Sequence, residues 1–187
     1  MQKMISILGS TGSIGLNCFK IIDKKRNFFK INILVANKNF KEICNQIVKY
    51  KPKIFVINDF ATYRKVKNKF HKTKVFITNS FDINKNNFKI SDITVAAIPG
   101  IAGLKPTITM IQKSKKMLIA NKESVICGWN LIKKMSLKNK VKIIPIDSEH
   151  FSILKLLENH KINDVDKIYL TASGGPFLRY PINRLKN

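Results

Sequence analysis

The chain has 187 residues, 44% of them hydrophobic, and sets 35 Lys and Arg against 11 Asp and Glu, for a net charge of +24. That length holds one good core and the start of a second, and no apolar run approaches the roughly 20 residues that span a bilayer, so the expectation is a cytoplasmic protein with no membrane partner. The charge invites a nucleic-acid reading, but only Arg26, Arg64, Arg179 and Arg184 are arginine and the other 31 basic residues are scattered lysines; base readout favours arginine, so what remains is attraction for anionic, phosphorylated small molecules rather than a specific nucleic acid.

From the N-terminus, strand-like apolar runs alternate with helical patterns, the signature of a parallel sheet with helices on both faces. Strands are expected over residues 4–8, 30–36, 53–57, 74–78, 92–98, 117–120 and 141–146, and helices over 13–26, 40–50, 61–70, 104–113 and 123–138. Residues 79–89 are polar and fit neither pattern. After Ile146 the rhythm changes to a helix over 151–159, a polar turn at Asn163-Asp164 and a strand-like run over 167–172. This predicts an α/β fold, a Rossmann-like doubly wound, mainly parallel sheet over residues 1–146, with a boundary near Pro145 to Ser148 and the start of a second domain over 147–187. Cys18, Cys44 and Cys127 are far apart, form no Cys-x-x-Cys pair and fall in helical segments, so they read as small buried or half-buried hydrophobes.

Four segments can do chemistry. Gly9-Ser10-Thr11-Gly12-Ser13-Ile14-Gly15 joins the first strand to the first helix, where glycines permit a tight turn and helix amides attract a pyrophosphate. The second strand then ends in Ala36-Asn37-Lys38-Asn39 instead of the acid that holds the ribose hydroxyls of NAD, which favours the 2′-phosphate of NADP. In Ala120-Asn121-Lys122-Glu123-Ser124 a strand runs into a helix; Asn121 and Glu123 suit helix capping, and Lys122 suits a donor to a substrate oxygen.

The third segment is Asp147-Ser148-Glu149-His150. Residues i and i+2 of an extended segment face one way, so Asp147 and Glu149 are expected to converge on a hard divalent cation; His150 is open as ligand, base or helix-start residue. The fourth, Leu170-Thr171-Ala172-Ser173-Gly174-Gly175-Pro176-Phe177, pairs a hydroxyl with bare amides that suit a phosphate or oxyanion.

Taken in order, these motifs closely resemble the 1-deoxy-D-xylulose 5-phosphate reductoisomerase family of the non-mevalonate isoprenoid pathway, over nearly the whole chain. The resemblance implies an NADPH-dependent oxidoreductase that rearranges and reduces 1-deoxy-D-xylulose 5-phosphate to 2-C-methyl-D-erythritol 4-phosphate, with residues 1–146 as the NADP-binding domain and residues 147–187 as the start of an α+β catalytic domain. It implies that Thr11, Gly12, Ser13 and Ile14 hold the cofactor pyrophosphate, that Asn37, Lys38 and Asn39 lie near the 2′-phosphate, and that Asn121 and Glu123 touch the cofactor. Asp147 and Glu149 are implied as ligands of Mg²⁺, Mn²⁺ or Co²⁺, and Lys122, Ser148, Glu149 and Ser173 as substrate contacts, with Lys122, Asp147 and Glu149 catalytic. Asn37 replaces a glycine common in the family, and Pro99 interrupts a nearby segment. The chain is about half the family's length, so a third carboxylate ligand, a closing loop and a helical C-terminal domain are expected beyond Asn187, and the chain is expected to be inactive, or nearly so, alone. A homodimer is the family expectation. The competing readings are a non-catalytic NADPH-binding product and a simpler NADP-dependent dehydrogenase.

Overall fold

The computed structural model describes residues 2–82, 89–170 and 181. The chain divides into two compact units, residues 1–147 and 148–187.

The first unit is a seven-stranded, all-parallel sheet in the order β4-β3-β2-β1-β5-β6-β7. The strands are β1 (Lys3–Leu8), β2 (Phe29–Ala36), β3 (Ile54–Ile57), β4 (Phe76–Thr78), β5 (Ser91–Ala96), β6 (Ser114–Ile119) and β7 (Lys142–Pro145). Helices α1 (Ser13–Lys24), α2 (Phe40–Tyr50), α3 (Phe60–Lys69), α4 (Leu104–Ile111) and α5 (Lys122–Lys138) connect them, with short 3-10 turns at Arg26–Phe28 and Ile101–Gly103. From β1 the chain first builds outward through β2, β3 and β4, then returns to place β5 on the other side of β1. That reversal between β1 and β5 is where open α/β sheets bind ligands, at the carboxyl ends of the strands.

Alternation along the strands makes two cores. In β3, Phe55 and Ile57 join Phe19 and Ile22 of α1, Ile43 and Ile47 of α2 and Val66 of α3, whereas Ile54 and Val56 join the cluster holding Met110 and Ile111 of α4 and Ile132 of α5. Between Ile31 and Leu34, β2 carries one extra residue relative to β1, a bulge that lets both side chains reach the same core. The buried Asn32 lies in that bulge and donates to Ser91 Oγ at 2.8 Å, which in turn pairs with Ser6 Oγ at 2.7 Å.

The second unit contains α6 (Ser148–Leu157) and a 3-10 turn at Ile162–Asp164. None of its described residues is fully buried. Among the described residues, no helix is long and apolar enough to cross a membrane.

Four expectations need correction. No strand forms over residues 167–170: alternating hydrophobicity supplies a face but no partner, and Tyr169 is 86% exposed. α6 begins at Ser148, three residues before the expected start, so Glu149 lies in a helical first turn and strand alternation does not govern the Asp147/Glu149 pair. β6 begins at Ser114, three residues early, because its pairing with β5 starts at Ser91↔Ser114. Cys44 is buried and Cys18 half-buried as expected, but Cys127 is exposed.

Candidate cofactor site and active site

The parallel ladder continues past the ends of the strands and forms one rim. Gly9 and Ser10 N–H both donate to Val35 O at 2.9 Å, Asn58 N–H to Ala36 O at 3.0 Å, Ala97 N–H to Leu8 O at 2.9 Å, Ala120 N–H to Ala96 O at 2.9 Å and Ile146 N–H to Ile119 O at 2.9 Å. The rim therefore brings together the glycine turn after β1, the Asn37–Asn39 corner after β2, the Asn121–Glu123 segment after β6 and Asp147 after β7. Three strand spacings, roughly 14 Å, separate β1 from β7.

Geometry requires glycine at two turn positions. Gly9 has φ +82°, and a Cβ there would lie 2.6 Å from Ala97 O; a Cβ on Gly15 would lie 2.5 Å from Gly9 O and 2.7 Å from Ser10 O. Helix α1 thus rests directly on the Gly9–Ser10 peptide. At the mouth of the turn, Gly12 is the N-cap residue of α1, no side chain caps that helix, and Gly12, Ser13 and Ile14 are exposed with Thr11 half-buried. The open helix start and its bare glycine fit a pyrophosphate.

The corner after β2 has more structure than its sequence shows. Asn37, Lys38 and Asn39 are exposed, and Asn39 Oδ1 accepts from Glu42 N–H at 3.2 Å, capping α2. Nearby, Asp59 caps α3, its Oδ2 accepting from Thr62 N–H at 2.8 Å. The Thr62 backbone and side-chain hydrogen bonds hold the Asp59 carboxyl below its ordinary pKa, with Lys38 and Lys65 adding to the effect. Lys38 therefore sits within the field of the Asp59 carboxylate. Asp59 escapes sequence reading because Asn58-Asp59 after a strand is an ordinary cap signal.

Asn121 is 3% exposed and works as a clamp. Its Oδ1 accepts from Ser124 N–H at 2.9 Å, and its Nδ2 donates to Gly100 O at 2.8 Å and to Ile98 O. The side chain expected to touch a cofactor is thus engaged in holding the loop that contains Pro99. A Cβ on Gly103 would strike Asn121 Nδ2 and Ile98 O, and one on Gly128 would strike Leu104 Cδ1, so two glycines let this loop and α5 close on each other. Lys122 and Glu123 open α5 and are exposed.

In the second unit, Ser148 Oγ donates to Glu149 Oε2 at 3.2 Å. Both line a cavity of about 610 Å³ with Ser152, Leu156, Lys167 and Tyr169. Among the described residues, no group of three or more His, Cys, Asp or Glu side chains could hold a metal. Ser173 and the rest of its glycine-rich motif after Leu170 lie outside the described residues.

With this rim in place, comparison with known proteins is decisive. The family profile of 1-deoxy-D-xylulose 5-phosphate reductoisomerase matches residues 5–128, and that of the same enzyme's C-terminal domain matches residues 143–187. The chain belongs to the 1-deoxy-D-xylulose 5-phosphate reductoisomerase family. The reductoisomerase of Pelagibacter ubique is 46% identical over 190 residues, covering 100% of this chain and 49% of the relative. That of Wolbachia pipientis wMel is 39% identical over 189 residues, covering 100% and 48%. The chain thus spans about half the length of the curated relatives it matches. Among solved structures, the reductoisomerase of Zymomonas mobilis in complex with NADPH superposes with a TM-score of 0.86 at 31% identity, over 98% of this chain and 49% of that chain. A DOX-P reductoisomerase in complex with NADPH, fosmidomycin and magnesium gives 0.82 at 30% identity, over 98% and 48%. The reading as a simpler dehydrogenase gives way to this family membership.

Proposed function

We propose that this chain supplies the cofactor-binding part and the beginning of the catalytic part of an enzyme that rearranges and reduces 1-deoxy-D-xylulose 5-phosphate to 2-C-methyl-D-erythritol 4-phosphate with NADPH and a divalent metal. The observation behind it is the shared rim, which lines up the glycine turn, the Asn121–Glu123 segment and Asp147 along one edge of one sheet. Residues 1–146 serve as the NADP-binding domain and residues 147–187 begin the catalytic domain.

In this reading the exposed helix start at Thr11, Gly12, Ser13 and Ile14 receives the pyrophosphate, and Asn37, Lys38 and Asn39 receive the 2′-phosphate, where Lys38 offers the charge. Asn121 acts on the cofactor through the loop it clamps, and Glu123 meets it from the first turn of α5. When bound, NADPH supplies a hydride. Asp147 and Glu149 offer the hard oxygen donors that would hold Mg²⁺, Mn²⁺ or Co²⁺, whose chemistry there would be to polarise a substrate carbonyl. Lys122 offsets developing negative charge on a substrate oxygen, while Ser148, Glu149 and Ser173 orient the phosphorylated substrate. The neighbour bound to fosmidomycin and magnesium supports a phosphorylated substrate class. A homodimer and a cytoplasmic setting belong to the same proposal.

Two carboxylates leave a cation more hydrated and less tightly held than three, so the chain alone is proposed to bind NADPH with little or no turnover. The test joins residues 1–187 to the remaining half of the Pelagibacter ubique relative. NADPH consumption with 1-deoxy-D-xylulose 5-phosphate should appear, vanish on chelation and return with Mn²⁺. Metal-independent consumption, or none in a well-folded chimera, contradicts the proposal.

A further inference from the structure

We propose that Gln46, on α2, is a positioning residue for the cofactor: it fixes the Ser10 carbonyl inside the protein and so turns the amides that follow towards the dinucleotide. The inference rests on the reading of the glycine turn as an NADP site.

Gln46 is 0% exposed, yet its surroundings are not those of a packing residue. Its Nε2 donates to Ser10 O at 3.0 Å and to Glu42 Oε1 at 3.1 Å. Both neighbours are acceptors, which fixes the amide orientation. Its Oε1 is buried without a partner, as is Ser10 Oγ. A leucine would fill the space without leaving an unpartnered oxygen, so packing does not account for a glutamine here. The Ser10 peptide is what needs holding: its N–H is tied to Val35 O at 2.9 Å, and Gly15 lets α1 press against its carbonyl side. With both ends of that residue pinned inward and the Gly12 N–H bonded to Gly9 O at 3.1 Å, the amides of Thr11, Ser13 and Ile14 are left to face a ligand. The same amide reaches the other end of the site, since Glu42 N–H donates to Asn39 Oδ1 at 3.2 Å. One chain of hydrogen bonds, Asn39 to Glu42 to Gln46 to Ser10, therefore links the 2′-phosphate corner to the pyrophosphate turn.

The test uses the 187-residue chain and isothermal titration with NADP⁺, which spans the whole site, and with 2′-AMP, which reaches only the Asn37–Asn39 corner. Gln46→Leu should weaken NADP⁺ about tenfold and 2′-AMP less than about twofold, with cooperative melting retained. In Gln46→Glu a protonated carboxyl can donate to Ser10 O and an ionised one cannot. Its NADP⁺ affinity relative to the parent should therefore recover at low pH and fall at high pH, and this variant decides the matter if Gln46→Leu does not fold. The inference is overturned if the parent binds NADP⁺ and Gln46→Leu binds it equally well, if both ligands weaken in parallel, or if the Gln46→Glu ratio is flat with pH. A parent that binds neither ligand overturns the NADP reading itself, and the inference with it.

Discussion

The two units solve the problem of holding functional groups in opposite ways. In the first, the groups stand on the rim of a sheet whose two faces are both buried, and side chains such as Asn121 are locked by three hydrogen bonds. In the second, Ser148 and Glu149 stand on a helix with no buried residue, beside an open cavity. Their ion pairs show the same contrast. Asp23 of α1 is bonded by Arg26 at 2.9 Å, by Lys49 at 2.7 Å and by the Tyr50 hydroxyl at 3.0 Å, tying α1 to α2, whereas the Lys155–Glu158 pair of the second unit spans one helical turn, with both side chains more than half exposed. The lesson is that a site's rigidity comes from the core beneath it, and among the described residues the buried clusters lie in the first unit.

Substitutions in the first unit should therefore be costly and those in the second nearly silent. The largest effect is expected for Gly15→Val, whose Cβ would lie 2.5 Å from the Gly9 carbonyl oxygen. The α1 start must then move, lowering stability by about 3 kcal/mol and NADP⁺ affinity by more than about tenfold, as chemical denaturation and titration will show. Next, Asn121→Ala takes the side-chain partner from Ile98 O and Ser124 N–H and leaves Gly100 O with the Gly103 N–H alone, for a loss of about 2–3 kcal/mol in the same denaturation experiment.

A smaller effect belongs to Asp23. Burial would raise its pKa, but hydrogen bonds from Lys49, Arg26 and Tyr50 overcome that and hold it at about 2. Because the folded pKa is depressed below the ordinary value of about 3.9, the stabilisation is present above that value and is lost as pH falls towards 2. Asp23→Asn should cost about 1 kcal/mol at pH 7 after allowance for solvent screening, and the gap to the parent should shrink between about pH 4 and pH 2. The smallest effect is expected for Leu154→Ala on α6, where the side chain is 41% exposed: a change below about 0.5 kcal/mol. A large loss there would break the contrast between the units.

The sequence was legible where period and position coincide. The seven strands of the sheet and the five helices between them announce themselves by apolar runs alternating with amphipathic ones, and the glycine turn by its place after β1. What remained hidden depends on tertiary neighbours. Residues 167–170 have the alternation of a strand, but pairing is decided elsewhere. Asn121 reads as a cap, which it is, but its grip on Ile98 and Gly100 involves a loop about twenty residues away in sequence. Gln46 left one trace: it lies three residues after Ile43 and beside Ile47, on the buried stripe of α2, where a polar residue asks for a partner.

The central claim, that the rim of the first unit is an NADP site, is tested most directly by titrating the 187-residue chain with NADPH and NADH and following nicotinamide fluorescence. Saturable binding of NADPH, at least about tenfold tighter than NADH and weakened by Lys38→Ala, is the predicted result. Equal affinity for the two, or no saturable binding of either by a folded chain, would contradict it.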